Sequence, residues 1–352
     1  MTLGLAIDIK KGEKARILLH QTGLLDSSKR LAKDRALIVF PLTRMLTQAE
    51  ERSLKKVLGL FSFKKINFSE RSRKPRSLED ALKGELSEKE MSELVKSFDV
   101  IGKIALLLVS DELLPKQKII AEALLEANPQ LDTVARILGG HEGEYRVRPV
   151  EVIAGKNELE TIHTEWGCKF KVKLGEVFFS PRLSHERTRI AKLIKEGEDQ
   201  GVFFSGVGPF AVIFGKHSKA GKIYAVELNP IAAALAEENI KLNKLEGKVT
   251  AFEGDVKEIV PKHLAGKCDR IVMPLPHGGE HFLETAFLAL KPRGGIIHFY
   301  RFVDRESLYE KPLALIEATA KKFNRKVKIK NKKIVRTFSP SKVQVVIDAE
   351  VK

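Results

Sequence analysis

The sequence predicts an α/β fold built on a parallel sheet with helices on both faces, and three features of its C-terminal part indicate this. Apolar runs alternate there with helical segments, which is the arrangement of strands that share a sheet and are connected by helices. The run at 202–205 ends in a tight turn with Gly206 and Gly208. The chain closes with two strands, 326–336 and 342–350, joined by a short loop, so we expect an antiparallel hairpin at the sheet edge.

Seven strands are expected in this sheet. They are predicted at 202–205, 222–227, 248–252, 269–273, 295–301, 326–336 and 342–350, with helices at 209–216, 230–243, 279–290 and 311–322. We assign residues 151–352 to this domain.

Two smaller α/β modules are predicted before it. The first spans 1–75 and ends in a polar, proline-containing linker at 69–77. The second spans 76–150 and contains one buried strand at 99–109 and a segment at 131–137 that fits either a strand or a short helix.

The charge balance predicts a polyanionic partner. The chain carries 62 Lys and Arg against 46 Asp and Glu, a net charge of +16. Nucleic acid is the commonest partner of such a surface, although a lysine-rich surface also serves solubility or heat resistance. No apolar run is long enough to cross a membrane, and the first residues lack the pattern of a signal peptide. Two cysteines, Cys168 and Cys268, suit a reducing cytoplasm and have no metal-ligand spacing, so no metal site is expected.

The glycine turn and two carboxylates predict a nucleoside-binding crevice. Gly206 and Gly208 let backbone approach a ligand where a Cβ would clash. Glu227 ends the second strand, where it can accept both hydroxyls of a ribose, and Asp255 follows the third strand, where it can accept from an adenine amino group. The alternative is a fold in which the glycines serve packing alone.

Further segments suit contacts with a base or phosphate. Pro274 and Pro276 stiffen the loop after the fourth strand, which could instead be a rigid turn before a helix. The segment 179–189 places Glu186 among arginines, although a glutamate also suits the first turn of a helix. The glycine-rich loop 139–149 carries arginines, and residues 321–337 hold nine Lys or Arg and no acid, as a phosphate track or a protected edge strand would.

Taken together, these motifs resemble the archaeal and eukaryotic type of tRNA (guanine-37-N1)-methyltransferase over nearly the whole chain. The specific pieces are EYRVR at 144–148, FSPRLS with Glu186-Arg187 at 179–187, and SGVGPF at 205–210, in this order. The closing hairpin is likewise typical of Rossmann-like S-adenosylmethionine-dependent methyltransferases. The resemblance implies a cytoplasmic tRNA methyltransferase that uses S-adenosyl-L-methionine and acts as a monomer. Both smaller modules would bind RNA, the first at the outer corner of the L-shaped tRNA, and the catalytic domain would bind at the anticodon stem-loop.

The resemblance also implies residue roles. In catalysis, Glu186 would accept the N1 proton, Arg146 would stabilise charge on the guanine O6, and Arg187 would support the base or a phosphate. The residues assigned to the cofactor pocket are Phe204, Gly206, Gly208, Glu227, Asp255, Pro274 and Pro276, of which the prolines would also line the base pocket. Those assigned to the substrate are Arg148, Arg182, Arg189 and Phe178.

Two positions depart from the family pattern. Val202 stands where members often carry an acid, and Pro274-Leu-Pro276 stands where they often carry Asn-Leu-Pro or Asn-Pro-Pro. Three alternatives stay open: aminocarboxypropyl transfer in wyosine synthesis, methylation of another RNA base, and tRNA binding without catalysis.

Overall fold

The computed structural model describes residues 1–70, 75, 77–140 and 143–352. Part of the predicted polar linker, Arg71–Lys74 and Arg76, lies outside the described residues. The chain divides into two compact units, Met1–Arg76 and Ser77–Lys352. Within the described ranges, no helix is both long and apolar enough to cross a membrane.

The first unit is a four-stranded antiparallel sheet with two helices. Its elements are β1 (Thr2–Asp8), α1 (Gly12–Gln21), β2 (Ala32–Asp34), β3 (Leu37–Pro41), α2 (Gln48–Leu58) and β4 (Ser62–Ile66). The strand order is β2-β3-β1-β4. The Thr47 side chain and the Glu50 carboxylate form a capping box that starts α2. Leu5, Leu19 and Phe40 are fully buried at the centre of the unit.

The second unit begins with a four-stranded mixed sheet in the order β5-β6-β7-β8. Its elements are α3 (Leu78–Ala81), α4 (Glu88–Glu93), β5 (Phe98–Ile101), β6 (Ile104–Leu107), α5 (Gln117–Ala127), β7 (Thr133–Ile137) and β8 (Val150–Gly155). β8 pairs with β7, so it completes this sheet although most of it lies beyond the predicted boundary at residue 150.

The prediction of one strand over 99–109 is wrong, because the chain reverses direction there. β5 and β6 are antiparallel and meet at Gly102-Lys103. Gly102 has φ of +57°, a conformation that glycine adopts without steric cost. A Cβ at Gly102 would lie 2.2 Å from Oγ1 of Thr161, so close packing also requires a glycine.

A hairpin and a helix connect the two sheets of this unit. The hairpin consists of β9 (Glu160–Glu165) and β10 (Cys168–Lys173), and α6 (Ser184–Ala191) follows. The large sheet then contains β11 (Gln200–Phe203), α7 (Pro209–His217), β12 (Ile223–Glu227), α8 (Pro230–Leu242), β13 (Val249–Glu253), α9 (Val256–Ile259), β14 (Arg270–Met273), α10 (Leu283–Ala289), β15 (Gly295–Asp304), α11 (Glu310–Lys322), β16 (Val327–Thr337) and β17 (Lys342–Val351).

The large sheet confirms the predicted Rossmann-like fold. Its strand order is β13-β12-β11-β14-β15-β17-β16. The first five of these strands are parallel, and β15–β17 and β17–β16 are antiparallel, as the closing hairpin predicts. From β11 the successive strands β12 and β13 extend the sheet to one side, and β14 and β15 extend it to the other. Ligands bind at the carboxyl ends of the strands beside such a switch point.

Apolar cores cover both faces of this sheet. Phe210 and Phe214 from α7 pack into one core, and Phe287 from α10 packs into the other. Val202, one of the two departures from the family pattern, is fully buried in β11, paired in register with Ala225 and Val272.

Candidate active site

The glycine turn lies at the carboxyl end of β11, beside the switch point. Gly206 and Gly208 have φ of +56° and +83°, which favour glycine. Phe204 also has a positive φ, +54°, and its ring meets that of Phe282 edge to face with centroids 4.8 Å apart. Phe178, whose side chain is partly exposed, brings its backbone carbonyl to 3.3 Å from the position of a Cβ on Gly206.

Glu227 is joined to this turn by backbone hydrogen bonds. Its Oε2 accepts from the Gly206 amide at 2.7 Å and its Oε1 accepts from the Asn229 amide at 2.9 Å. Burial raises the pKa of Glu227, and these backbone donors oppose the shift. A carboxylate has about four acceptor sites, so Glu227 can still accept from a hydroxyl group.

Two further groups near the turn bear on whether a nucleoside fits. Oγ of Ser205 is buried and has no hydrogen-bond partner among the described residues, a state that a bound polar group would relieve. Asp255 caps α9 by accepting from the Lys257 amide with Oδ1. The Ser205 hydroxyl and the two carboxylates of Glu227 and Asp255 supply donors and acceptors that suit an adenosine-containing cofactor.

The loop of Pro274 and Pro276 and the glycine-rich loop that carries Arg146 meet at the carboxyl end of the neighbouring strand. Pro274 and Pro276 directly follow β14, which lies beside β11. The Pro276 carbonyl accepts from the Phe302 amide at 2.9 Å, so the sheet already uses this carbonyl. Arg146, which has φ of +52°, donates from Nη2 to Nδ1 of His277 at 3.1 Å. The guanidinium therefore lies against the proline loop although 131 residues separate the two along the chain.

Glu186 is buried in the first turn of α6 and accepts hydrogen bonds from Tyr300 and Arg189. Its side chain is 3% exposed. Oε1 accepts from the Tyr300 hydroxyl at 2.6 Å and from Nη2 of Arg189 at 2.7 Å, and Oε2 accepts from Nε of Arg189 at 2.9 Å. The Tyr300 ring lies 6.4 Å from that of Phe210, in the helix that follows the glycine turn. Glu186 thus lies next to the elements that form the crevice.

Arg187 and Arg189, both predicted to contact substrate, are bound instead to carboxylates of the protein. Arg187 is buried, donates to both oxygens of Glu165 and to the Ser180 carbonyl, and lies over the ring of Phe210. Arg189 makes four hydrogen bonds, two to Glu186 and two to Asp348. A guanidinium has five N–H groups, so Arg189 has little capacity left for a ligand.

The remaining two predicted arginines lie near one carboxylate. Arg182 is exposed and donates from Nε to Asp99 at 2.8 Å. Arg148 donates to the Gly139 carbonyl at 3.3 Å. Burial lowers the pKa of Arg148 and of Arg336 on β16, while the charge of Asp99 opposes both shifts and that of Arg182 adds to them. Three guanidinium groups therefore share one acid, which leaves excess positive charge for an anion.

Comparisons with known proteins agree with this geometry. A sequence model of the TRM5/TYW2 methyltransferase domain matches residues 161–329, and one of the TYW2 N-terminal domain matches 78–158. The chain is 34% identical over 351 residues to the tRNA (guanine(37)-N(1))-methyltransferase Trm5b of Pyrococcus abyssi, covering 100% of this chain and 99% of that protein. The chain belongs to the TRM5/TYW2 family.

Solved structures of this family share the fold. The complex structure of aTrm5 and tRNALeu has a TM-score of 0.83 and 30% identity, covering 99% of this chain and all of that one. The structure of Methanocaldococcus jannaschii TYW2 in complex with AdoMet has a TM-score of 0.58 and 27% identity, covering 73% of this chain and 99% of that one.

Four polar residues at this TRM5/TYW2-type site were not predicted from the sequence: Glu165, Tyr300, His298 and Asp348. Each lies in a strand, and His298, Tyr300 and Asp348 interrupt runs that are otherwise apolar. A polar residue inside a buried strand requires a partner, and that is the signal that could have identified these three. The partners themselves come from distant parts of the chain.

Proposed function

We propose that this protein transfers a methyl group from S-adenosyl-L-methionine to N1 of guanine 37 in tRNA, next to the anticodon. The observation that carries the proposal is the position of the Arg146 guanidinium at the proline loop, at the carboxyl end of β14. The glycine turn with its bound Glu227 lies at the end of the adjacent strand. A base and a cofactor would therefore meet at one edge of the sheet.

S-adenosyl-L-methionine fits the crevice that Glu227 and the glycine turn form. The Glu227 carboxylate would accept the ribose hydroxyls, and Asp255 would accept from the adenine amino group. The Ser205 hydroxyl, which has no partner in the part of the chain that the structure describes, would donate to or accept from the cofactor. Phe204 would cover the pocket together with Phe282. When bound, the cofactor would supply an electrophilic methyl group on a sulfonium centre and leave as S-adenosylhomocysteine.

Glu186 and Arg146 would activate the guanine. N1 carries a proton at neutral pH, and this proton must leave before the nitrogen lone pair can attack the methyl carbon. Glu186 would accept the proton, and Arg146 would bind O6, where negative charge grows as the proton leaves. Arg187 would act indirectly, because its pair with Glu165 fixes the start of α6 and hence the neighbouring Glu186.

The tRNA contacts follow from the charge distribution. Arg148, Arg182 and Arg336, with excess charge around Asp99, would bind backbone phosphates of the anticodon stem-loop. Guanine 37 must leave its stack to reach the crevice, and Phe178 at the glycine turn would contact the extruded nucleotide. The first unit would contact the outer corner of the tRNA, and the enzyme would act as a monomer in the cytoplasm. Loss of activity on an isolated anticodon stem-loop, with full activity on whole tRNA, would support the corner contact.

The test is methyl transfer to whole tRNA transcripts. We expect a transcript with guanine 37 to gain one methyl group and a transcript with adenine 37 to gain none. Glu186→Gln should abolish transfer and keep cofactor binding, while Glu196→Gln, an exposed control on the surface, should behave as wild type. Full activity of Glu186→Gln would refute the base assignment, and no transfer by the wild type would refute the function.

One observation favours a second activity, aminocarboxypropyl transfer. Residues 78–158 match a sequence model of the TYW2 N-terminal domain. The same assay decides, because mass spectrometry of the modified nucleoside distinguishes one added methyl group from the larger adduct.

A further inference from the structure

The antiparallel end of the large sheet forms a polar surface beneath α6. Residues two apart in a strand share a face, so His298 and Tyr300 point the same way from β15. In register, His298 pairs with Asp348 of β17, which pairs in turn with Asn331 of β16. Tyr300 pairs with Val346, which pairs in turn with Lys333. These two rows bring the polar side chains of three strands to the helix that carries Glu186.

The first row is a fully satisfied chain of hydrogen bonds. Arg270 Nη1 lies 2.8 Å from Nε2 of His298, and His298 Nδ1 lies 2.6 Å from Oδ1 of Asp348. An arginine can only donate, so Nε2 accepts and the proton of the imidazole is on Nδ1. Burial lowers the pKa of His298, which keeps the ring neutral. Asp348 also accepts a hydrogen bond from Arg189, and Arg189 donates another to Glu186.

The second row supplies the donor that contacts Glu186 directly. Tyr300 is fully buried and donates its hydroxyl to Oε1 at 2.6 Å. Burial, and after it the negative charge of Glu186, raises the pKa of Tyr300 well above its usual range, so the hydroxyl keeps its proton and remains a donor. Lys333, half exposed on β16, places its ammonium 3.9 Å from Oε2.

These contacts differ between the two oxygens of Glu186. From the residues that the structure describes, Oε1 accepts two hydrogen bonds, one from Tyr300 and one from Arg189, whereas Oε2 accepts one, from Arg189. A carboxylate oxygen offers two lone pairs, so Oε1 is saturated and Oε2 retains one. We propose that Tyr300 is a positioning residue that occupies Oε1 and so directs Oε2 to receive the proton from the substrate. The inference rests on Glu186 being the base of the proposed reaction.

The decisive variant is Tyr300→Phe in the full-length protein, which removes one hydroxyl and keeps the buried ring. We expect kcat to fall about 10- to 100-fold, with KM for tRNA and for S-adenosylmethionine within about twofold of wild type. Loss of a donor to the charged carboxylate should also move the acidic limb of the kcat profile to higher pH. The matched control is Tyr224→Phe, on β12 of the same sheet, which should leave kcat and its pH profile unchanged.

A second variant guards against a folding defect. Lys333→Met removes the exposed cation near Oε2 and should move the acidic limb in the same direction by a smaller amount. Thermal midpoints and binding of S-adenosylhomocysteine confirm that each variant is folded. A wild-type kcat and pH profile for folded Tyr300→Phe overturns the inference. If Glu186→Gln is inactive in that case, the proposed function stands; if Glu186→Gln is active, the base assignment fails and the inference fails with it.

Discussion

Arg187 and Glu165 form an ion pair through two hydrogen bonds, and their side chains are only 2% and 3% exposed. The pair joins α6 to β9, so it connects the helix that carries Glu186 to the hairpin before it. The Arg187 guanidinium also lies 5.7 Å from the ring centroid of Phe179 and 5.8 Å from that of Phe210. This arrangement links the helix, the hairpin and the helix after the glycine turn.

Removal of one partner of this pair should be strongly destabilising. Arg187→Met leaves the Glu165 carboxylate buried without a counter-charge, which costs about 3–5 kcal/mol of unfolding free energy. Denaturant unfolding followed by circular dichroism would measure this. The double variant Arg187→Met with Glu165→Leu should recover much of the loss, because neither charge remains. A single variant as stable as wild type would show that the pair is not buried in solution.

The Arg146 guanidinium should mainly stabilise the transition state of methyl transfer. Arg146→Ala should lower kcat/KM for tRNA about 100- to 1,000-fold, as loss of a donor to a developing oxyanion does. Binding of S-adenosylhomocysteine, measured by calorimetry, should remain at the wild-type value. The matched control is Arg293→Ala, an exposed arginine paired with Asp269 at the opposite end of the sheet strands. Equal loss of activity in both variants would contradict a specific role.

Cofactor affinity should depend on pH through Glu227. Burial raises the pKa of this carboxyl in the free protein, so it binds a proton at a higher pH than an exposed glutamate. Ribose hydroxyls donate to the charged form and lower the pKa in the complex, so binding releases a proton between the two values. Affinity should therefore rise with pH across that window.

Calorimetry in two buffers of different ionisation enthalpy would detect the released proton. Glu227→Gln should bind S-adenosylhomocysteine weakly and without this pH dependence. Glu253→Gln, at the exposed end of the neighbouring strand β13, is the control. A wild-type affinity that stays constant from acidic to neutral pH would exclude Glu227 from the ribose site.

The sequence predicted the chain path of the large sheet because each element carries a local signal. The glycine turn, the acid at the end of β12 and the proline loop after β14 all follow buried strands, and the fold brings such positions to one edge. The prediction of one strand over 99–109 failed because Gly102 lies inside an apolar run. The neighbouring residues do not indicate the turn that Gly102 forms there.

The contacts of Glu186 could not be predicted in the same way. Tyr300 and Asp348 are 114 and 162 positions from Glu186, and only the register of β15, β17 and β16 places them under α6. Arg187 and Arg189 appeared in the sequence as free cations for RNA. Their carboxylate partners in β9 and β17 become visible only when the strands are packed against the helix.

The arginines around Asp99 should dominate the salt dependence of tRNA binding. Arg182→Ala and Arg336→Ala should each weaken binding and reduce the slope of log affinity against log salt by about 1, because each guanidinium neutralises one phosphate. Fluorescence anisotropy with labelled tRNA over a range of salt concentrations would give both quantities. Asp99→Asn should strengthen tRNA binding, because it removes the negative charge that Arg182 now contacts. Unchanged slopes in both arginine variants would show that the RNA backbone binds elsewhere.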